Sequence, residues 1–163
     1  MQRRANEFRI VTRWEVAASI TEVATILQDA ARFPDWWSEV YLDVKVLERG
    51  DADGVGGRVS VHSTGWLPYR LHWVATLTES RSPHGWSITA TGDLQGQGIW
   101  TLTQSGPLAL IDYDWRVLAE KPVLKVLSPV LSPVFGWNHR WAMAKGFDGL
   151  KREILSRRNL STT

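Results

Sequence analysis

Residues 8–40 read FRIVTRWEVAASITEVATILQDAARFPDWWSEV, and the spacing of their apolar side chains changes once along this stretch. Across residues 8–16 the two faces alternate with a period of two, which predicts a half-buried strand. Across residues 20–27 the apolar residues recur every three or four positions, which predicts a short amphipathic helix. Ser19 is a suitable N-cap for this helix, because Glu22 follows three residues later as in a capping box.

The rest of the chain predicts a second short helix, a run of strands and a long terminal helix. Pro34 favours the first turn of the second short helix. Six strands separated by short turns rich in Gly, Pro and Asp are predicted at 41–49, 57–66, 69–79, 86–93, 97–105 and 109–119. After Pro122 the pattern is helical again, with the boundaries near Pro129 and Pro133 left open. One apolar face of this helix consists of Met143, Phe147, Leu150 and Ile154.

This order of elements predicts one α+β domain, with helices segregated to one side of an antiparallel sheet. A sheet of seven such strands curls, so the C-terminal helix can lie in its concave side and enclose a cavity. We expect a single domain over residues 1–163, with residues 158–163 fraying at the end of the helix.

Four segments carry a resemblance to a known superfamily. They are Glu22-Val23 followed by Leu27 and Asp29, the turn containing Phe33, Pro34, Trp36 and Trp37, the glycine-rich Gly54-Val55-Gly56, and the terminal helix. In this order they resemble the helix-grip superfamily (SRPBCC), which includes START lipid-transfer domains, pollen-allergen-like proteins and a bacterial polyketide cyclase/dehydrase-like branch. The resemblance covers nearly the whole chain. It implies the helix-grip fold and a deep apolar pocket for a lipid-like, polyketide-like or aromatic molecule.

Aromatic side chains fall on one face of the predicted strands, and we expect this face to line the pocket. Small residues on the sheet (Ala75, Ala90, Gly92, Gly98) and on the helix (Ala142, Gly146) would leave room for a ligand. The alternative is that the rings, which include several of the ten tryptophans, simply fill the core. The predicted ligand-binding residues are Trp14, Tyr69, Trp73, Trp86, Trp100, Gln104, Tyr113, Trp115, Asn138 and Ala142.

No residue pattern specifies catalysis. The four histidines lack metal-ligand spacing, and the sequence contains neither a nucleophile elbow nor a phosphate-binding loop. We interpret His62, His72, Asp112 and Asp114 as solvated residues on polar strand faces, whereas His139 could face the cavity. Catalytic residues are therefore unassigned, and no metal or cofactor is predicted. By the template of the resembled cyclases, the acid/base groups would come from Tyr69, Tyr113, His139 or Arg140.

Composition and charge limit the cellular locations and the classes of partner that we expect. A formal charge of +2 with basic residues spread along the chain argues against a nucleic-acid partner. The absence of cysteine excludes disulfides, thiolate metal sites and thiol nucleophiles. The N-terminus lacks a secretory signal, and no window reaches the roughly 18 apolar residues of a membrane span, so we expect a cytoplasmic protein with no transmembrane segment.

Three functions remain open at this point. The first is a binding module that holds a hydrophobic small molecule as a carrier, sensor or auxiliary factor. The second is a polyketide cyclase, aromatase or dehydratase that uses the same pocket. The third is a protein-interaction module in which the apolar segment 123–137 is the docking surface.

Overall fold

The computed structural model describes residues 7–67 and 69–163, and within 123–132 it describes side chains only at Val126 and Val130. Its strands are β1 (Glu7–Ala17), β2 (Tyr41–Glu48), β3 (Arg58–Thr64), β4 (Arg70–Ser80), β5 (Gly85–Gly92), β6 (Leu94–Ser105) and β7 (Leu108–Ala119). Its helices are α1 (Ile20–Gln28), α2 (Phe33–Trp36) and α3 (Pro122–Ser161), with a 3₁₀ turn at Ala30–Arg32.

The described residues form one curved, seven-stranded antiparallel sheet in the order β1-β7-β6-β5-β4-β3-β2. The strands from β2 to β7 follow one another as a meander, and β1 closes the sheet by pairing with β7, with Trp14 opposite Ile111. This architecture, completed by α3, confirms the predicted α+β helix-grip fold.

Local signals explain the beginning of α1. The Ser19 hydroxyl accepts a hydrogen bond from the Glu22 backbone N–H at 3.1 Å, and the Ser19 N–H donates to the Glu22 carboxylate at 2.9 Å. These two bonds satisfy N–H groups that the first helical turn otherwise leaves without partners. Val23 and Leu27 lie buried on the inner face of α1, so the predicted helix is confirmed.

The helix α3 runs without interruption for 40 residues, so the boundaries left open near Pro129 and Pro133 do not exist. The helix extends to Ser161, and near its end the Arg158 Nε donates to the Glu22 carboxylate of α1 at 2.9 Å. The first and last helices are thereby joined across the sequence. Fraying of residues 158–163 stays a prediction.

Two glycines bring α3 close to α2. A Cβ atom at Gly146 would overlap the Trp37 ring, and one at Gly149 would overlap the Trp36 backbone carbonyl. Trp37 is held in this position because its indole N–H donates to the Ala142 carbonyl at 2.9 Å. The expectation that Gly146 leaves room for a ligand is therefore wrong, because an indole already occupies that space.

Candidate functional site

A cavity of about 140 Å³ lies between the sheet and α3, where the predicted pocket was placed. We call it the α3-side cavity. Its walls are mainly aromatic and aliphatic, and they come from the sheet, from the residues after α2 and from α3. The lining includes Phe8, Trp37, Tyr41, Ser63, Tyr69, Trp73, Trp100, Tyr113, Trp115, Phe135, Asn138, His139, Ala142 and Met143. Its volume is close to that of an engineered protein cavity that binds one benzene ring.

Asn138 connects α3 to the loop between β3 and β4 at this cavity. Its side-chain carbonyl accepts from the Leu67 backbone N–H at 3.1 Å, and its amide donates to the Tyr69 hydroxyl at 3.0 Å. Burial raises the pKa of Tyr69 to about 12, so this phenol stays protonated at physiological pH. The amide packs so closely against Gly65 that a Cβ atom there would overlap it. Gly65 and Asn138 therefore allow the loop between β3 and β4 to lie close to α3.

His139 presents a polar atom that the protein leaves without a partner. Its Nε2 is fully buried and makes no hydrogen bond to any described residue. Burial, assisted by the positive charge of Arg140, lowers the pKa of His139 to about 4. The imidazole is consequently neutral near pH 7, and its Nε2 can exchange a hydrogen bond with a molecule in the cavity.

Tyr41 and Tyr113 add two buried phenols. Burial raises the pKa of Tyr41 far above its usual range. It raises the pKa of Tyr113 as well, and a charge on Tyr41 would raise it further. Both groups therefore remain hydrogen-bond donors over the physiological pH range.

A second, larger cavity of about 640 Å³ shares the rings of Tyr41, Trp73, Trp100 and Tyr113 with the α3-side cavity. We call it the β2–β5 chamber, because it is lined by strands β2 to β5, by the end of α1 with the following 3₁₀ turn, and by the turn between β2 and β3. Its described lining contains no residue of α3. The sequence patterns did not predict this chamber, since only the α3 side was expected to enclose a cavity.

The predicted ligand-binding residues fall into three groups. Tyr69, Trp73, Trp100, Tyr113, Trp115, Asn138 and Ala142 line the α3-side cavity. Trp86 lines the β2–β5 chamber. Trp14 and Gln104 line neither cavity.

Trp14 and Gln104 line neither cavity because other residues of the chain contact or bond their side chains. The Trp14 ring stacks on Phe147 at 5.5 Å and packs against Trp100 at 5.9 Å. The Gln104 side chain accepts from the Ile20 backbone N–H at 2.8 Å and donates to the Ala18 carbonyl at 3.2 Å, which fixes the start of α1. Both side chains are structural.

The small residues also behave differently from one another. Ala142 lines the α3-side cavity and Ala75 the β2–β5 chamber, as expected of space-leaving positions. At Gly98 the space is taken by Tyr113, whose hydroxyl would lie 2.6 Å from an added Cβ atom. Strand alternation alone cannot reveal this, because the side chain that covers Gly98 comes from the neighbouring strand.

Several lining residues were missed by the sequence analysis as binding residues. Tyr41 was read only as the start of a strand, Trp37 only as part of a turn, and Phe135 only as part of an apolar segment. Trp37 and Tyr41 share one signal, a large ring next to a change of element, whereas Phe135 lies within α3. His139 had been considered as a residue that could face the cavity, and it does line it.

Outside the cavities, Asp112 and Asp114 on the polar strand faces form ion pairs near the surface, whereas His62 is not solvated as expected, because its Nε2 is buried without a hydrogen-bond partner among the described residues. Asp112 pairs with Arg13 at 2.8 Å, and Asp114 pairs with Arg9 at 3.2 Å and with Arg116 at 2.9 Å. The imidazoles of His62 and His72 stack on one another at 4.1 Å. Across residues 7–67 and 69–163 no group of three or more His, Cys, Asp or Glu residues is arranged to hold a metal ion.

The comparison with known families agrees with this geometry. A family model described as polyketide cyclase / dehydrase and lipid transport matches residues 7–155. The chain belongs to this family. No curated protein matches this chain in sequence. Within the described part of the chain, no helix has the length and apolarity needed to cross a membrane.

Solved structures share the fold of this family member. A protein from Thermus thermophilus superposes with a TM-score of 0.72 at 14% identity, covering 91% of this chain and 98% of its own. A START superfamily protein from Mycobacterium smegmatis gives 0.71 at 16% identity, covering 91% and 97%. An aromatase/cyclase from a Streptomyces species gives 0.70 at 13% identity, covering 93% and 95%. At these identities the likeness establishes the fold.

Proposed function

We propose that this protein binds a hydrophobic or aromatic small molecule, lipid-like or polyketide-like, in the α3-side cavity as a carrier, sensor or auxiliary factor. The observation that carries the proposal is a cavity walled by aromatic rings and lined also by His139, whose buried imidazole Nε2 has no hydrogen-bond partner among the described residues. Small-molecule sites are typically apolar with a few placed polar groups.

The chemistry of the lining defines the part of the ligand that enters. Trp100, Tyr113 and Trp115 offer ring faces against which a flat group packs. A buried polar atom without a partner destabilises a protein by about 1–3 kcal/mol, so a ligand group that bonds His139 Nε2 recovers this energy. A neutral imidazole Nε2 accepts from a hydroxyl in one tautomer and donates to a carbonyl in the other. The ligand therefore carries a ring and an oxygen or N–H group.

The test combines native mass spectrometry with a defined probe. Freshly purified protein is weighed intact, released molecules are identified after denaturation, and indole is then titrated into the protein and followed by calorimetry. Ala142→Trp fills the cavity and should abolish both the adduct and indole binding. Ala144→Trp, on the exposed side of the same helix, is the matched control and should retain both. A bare mass together with the absence of indole binding would overturn the proposal.

The second candidate is a polyketide cyclase, aromatase or dehydratase that uses the same cavity. His139, Tyr69 and Tyr113 support it, because a neutral imidazole and two protonated phenols in an apolar site provide a base and acids. Arg140, which the cyclase template also suggested, is exposed and does not line the cavity.

The enzyme is distinguished from the carrier by separating turnover from binding. A reactive poly-β-ketone thioester is incubated with the protein, and cyclised product is measured by mass spectrometry. For an enzyme, His139→Gln and Tyr113→Phe should lower the turnover rate about 10²-fold or more with little change in indole affinity. Unchanged cyclisation in both variants would exclude this role.

The third candidate, protein interaction through segment 123–137, has one supporting observation. Val126, Val130 and Trp137 are exposed along α3, and Trp137 packs edge-on against the exposed Trp66 at 4.7 Å. Apolar surface of this kind is often used for association. Sedimentation velocity of the wild type and of Trp66→Ser/Trp137→Ser tests it, since a docking surface between copies should lose self-association in the double variant. A monomeric wild type would exclude that form of interaction.

A further inference from the structure

The β2–β5 chamber has the dimensions of a binding site in its own right. Its volume of about 640 Å³ falls within the range of roughly 300–1,000 Å³ that small-molecule sites occupy. This volume is more than four times the volume of the α3-side cavity, which is about 140 Å³. A chamber of this size between packed elements is not an ordinary packing defect, because protein interiors contain few voids larger than a water molecule.

Four side chains, Tyr41, Trp73, Trp100 and Tyr113, line both cavities. Trp100 stacks on Tyr113 with ring centroids 4.0 Å apart, and Tyr41 packs edge-on against Trp37 at 4.9 Å. We call these four side chains the aromatic partition.

The partition is supported on both sides. Trp86 stacks on Trp100 at 5.8 Å from the chamber side, and Trp115 stacks on Tyr113 at 5.6 Å from the α3 side. Rings held in a continuous stack do not rotate without displacing their neighbours. The four shared rings therefore form a well-packed wall where the two cavities meet.

The lining of the β2–β5 chamber is apolar in its interior and polar at its mouth. Its inner wall consists of the buried side chains Leu27, Phe33, Val44, Val61 and Trp86. Its mouth, between the end of α1 and the β2–β3 turn, is formed by the exposed residues Gln28, Asp29, Glu48, Arg49 and Asp53 with the partly exposed Arg58. A molecule that fits both regions has an apolar body and a polar end.

The charges at the mouth select against a strongly charged end group. Three carboxylates, from Asp29, Glu48 and Asp53, are mixed with the guanidinium groups of Arg49 and Arg58. Arg58 and Glu48 already pair at 3.0 Å. Because neither sign dominates, the mouth favours an uncharged polar group that exchanges hydrogen bonds with both kinds of side chain.

We propose that the β2–β5 chamber is a second ligand compartment, which binds an uncharged amphipathic molecule with its apolar body against the aromatic partition and its polar end at the mouth. This compartment does not depend on occupation of the α3-side cavity. Its failure is therefore distinguishable from a failure of the proposed function.

Methyl NMR on the full chain tests this proposal with 1-octanol as the probe. Ile88 lines the β2–β5 chamber, whereas Ile10 and Met143 line the α3-side cavity, so one labelled sample reports on both. 1-Octanol should shift the Ile88 methyl signal in a saturable way and show nuclear Overhauser contacts to the Val44 and Val61 methyls. Ile10 and Met143 should respond to indole instead, with a separate binding isotherm.

A cavity-filling variant and a matched control complete the experiment. Ala75→Phe projects into the chamber and should weaken 1-octanol binding at least tenfold while leaving the indole response of Met143 intact. Val74→Phe adds the same bulk at the adjacent position of β4, outside the chamber, and should leave both responses intact. If Ala75→Phe does not fold, the Overhauser contacts in the wild type decide the question.

Two results would overturn the proposal. The first is an Ile88 signal that does not move at any 1-octanol concentration, because the chamber then takes no such ligand. The second is competition between 1-octanol and indole with a single affinity at Ile88 and Met143, because the aromatic partition then does not divide two compartments.

Discussion

At the scale of single residues, His139 has a buried polar atom that lowers stability but is available for a hydrogen bond to a ligand. Its Nε2 is buried at the wall of the α3-side cavity, and no described residue offers it a hydrogen bond. The same burial that leaves the atom unpartnered lowers the pKa of the imidazole to about 4. A group that the fold holds neutral in this way is suited to exchange one hydrogen bond with a ligand.

The lowered pKa of His139 predicts a loss of stability in acid. Between the ordinary value of 6.5 and the folded value of about 4, the unfolded chain binds a proton that the folded chain does not. The free energy of unfolding should therefore fall by on the order of 2 kcal/mol from pH 7 to pH 4.5 through this residue. Urea unfolding at both pH values, in wild type and His139→Gln, measures it.

The His139→Gln comparison removes the contribution of the carboxylates, which titrate in both proteins. Glu22 is one of them, since its bonds to Arg158 and Ser19 lower its pKa to about 2. If wild type and His139→Gln lose the same stability on acidification, the buried histidine does not contribute and this prediction is wrong.

Asn138 gives a second prediction at this scale. It is 8% exposed and bonds both Leu67 and Tyr69. Asn138→Ala should reduce the free energy of unfolding by about 1–3 kcal/mol, because it leaves buried polar groups without partners. Tyr69→Phe removes only one of the two bonds and should cost less. Urea unfolding measures both, and Ser156→Ala, at an exposed position of the same helix, should change little.

At the scale of secondary-structure elements, α3 is positioned by its glycines. Gly146 and Gly149 let the helix approach Trp36 at the end of α2 and Trp37 directly after it, and Trp37 in turn donates its indole N–H to the helix backbone. This contact brings His139 and Ala142, one to two turns earlier on α3, to the wall of the cavity. The geometry of the site thus depends on a packing contact outside it.

Two glycine variants of α3 should change stability in opposite directions. Gly146→Ala forces the new methyl group into the Trp37 ring and should destabilise the fold by about 1–3 kcal/mol. Gly136→Ala meets only the Arg140 guanidinium, at 3.4 Å, and should stabilise the helix by up to about 1 kcal/mol. Thermal unfolding of both variants checks the signs. Equal effects would mean that helix propensity, rather than packing on Trp37, governs this segment.

At the scale of the whole molecule, stacked aromatic rings organise the interior. A continuous series from Trp86 through Trp100 and Tyr113 to Trp115 crosses strands β5, β6 and β7. Trp100 and Tyr113 line both cavities, whereas Trp86 lines only the β2–β5 chamber and Trp115 only the α3-side cavity. The same tryptophans therefore act as core for one part of the structure and as pocket for another.

This organisation predicts which tryptophans affect binding. Trp100 and Trp115 line the α3-side cavity, whereas Trp36 lines neither cavity and packs near Gly149. Trp100→Ala and Trp115→Ala should each weaken indole binding about tenfold or more, because each removes a ring face at the ligand. Trp36→Ala should lower stability by about 3–5 kcal/mol with little change in affinity. Calorimetry measures the affinities, and urea unfolding measures stability in parallel.

The outcome that would contradict this prediction is an equal loss of affinity in all three variants. Such a result would show that the substitutions act through general destabilisation of the fold rather than through contact with the ligand.

Much of the fold was predictable because its signals are local. The capping box at Ser19, the alternation before it and the glycine-rich turns each act within a few residues. The observed strands accordingly lie within a few residues of their predicted bounds. The extent of α3 was harder to predict. Pro129 and Pro133 each favour the end of a helix, yet the helix continues through both.

The site was predictable only in part. Seven of the ten predicted binding residues line the α3-side cavity, because alternation along a strand identifies its inward face. Alternation does not say what covers an inward residue. Trp14 faces inward and is covered by Phe147, and Gln104 is engaged by the backbone at the start of α1.

The sequence by itself determined the order of the elements and the inward face of each strand, because periodicity, capping and turn chemistry depend on near neighbours, and it also carries the match to the family model. Only the tertiary structure decided that Trp37 fills the space beside Gly146, that the His139 Nε2 is buried without a partner among the described residues, and that the aromatic partition lines two cavities. These features depend on side chains from residues distant in the sequence that meet at one place. Their contacts are set by packing in three dimensions, which no local pattern encodes.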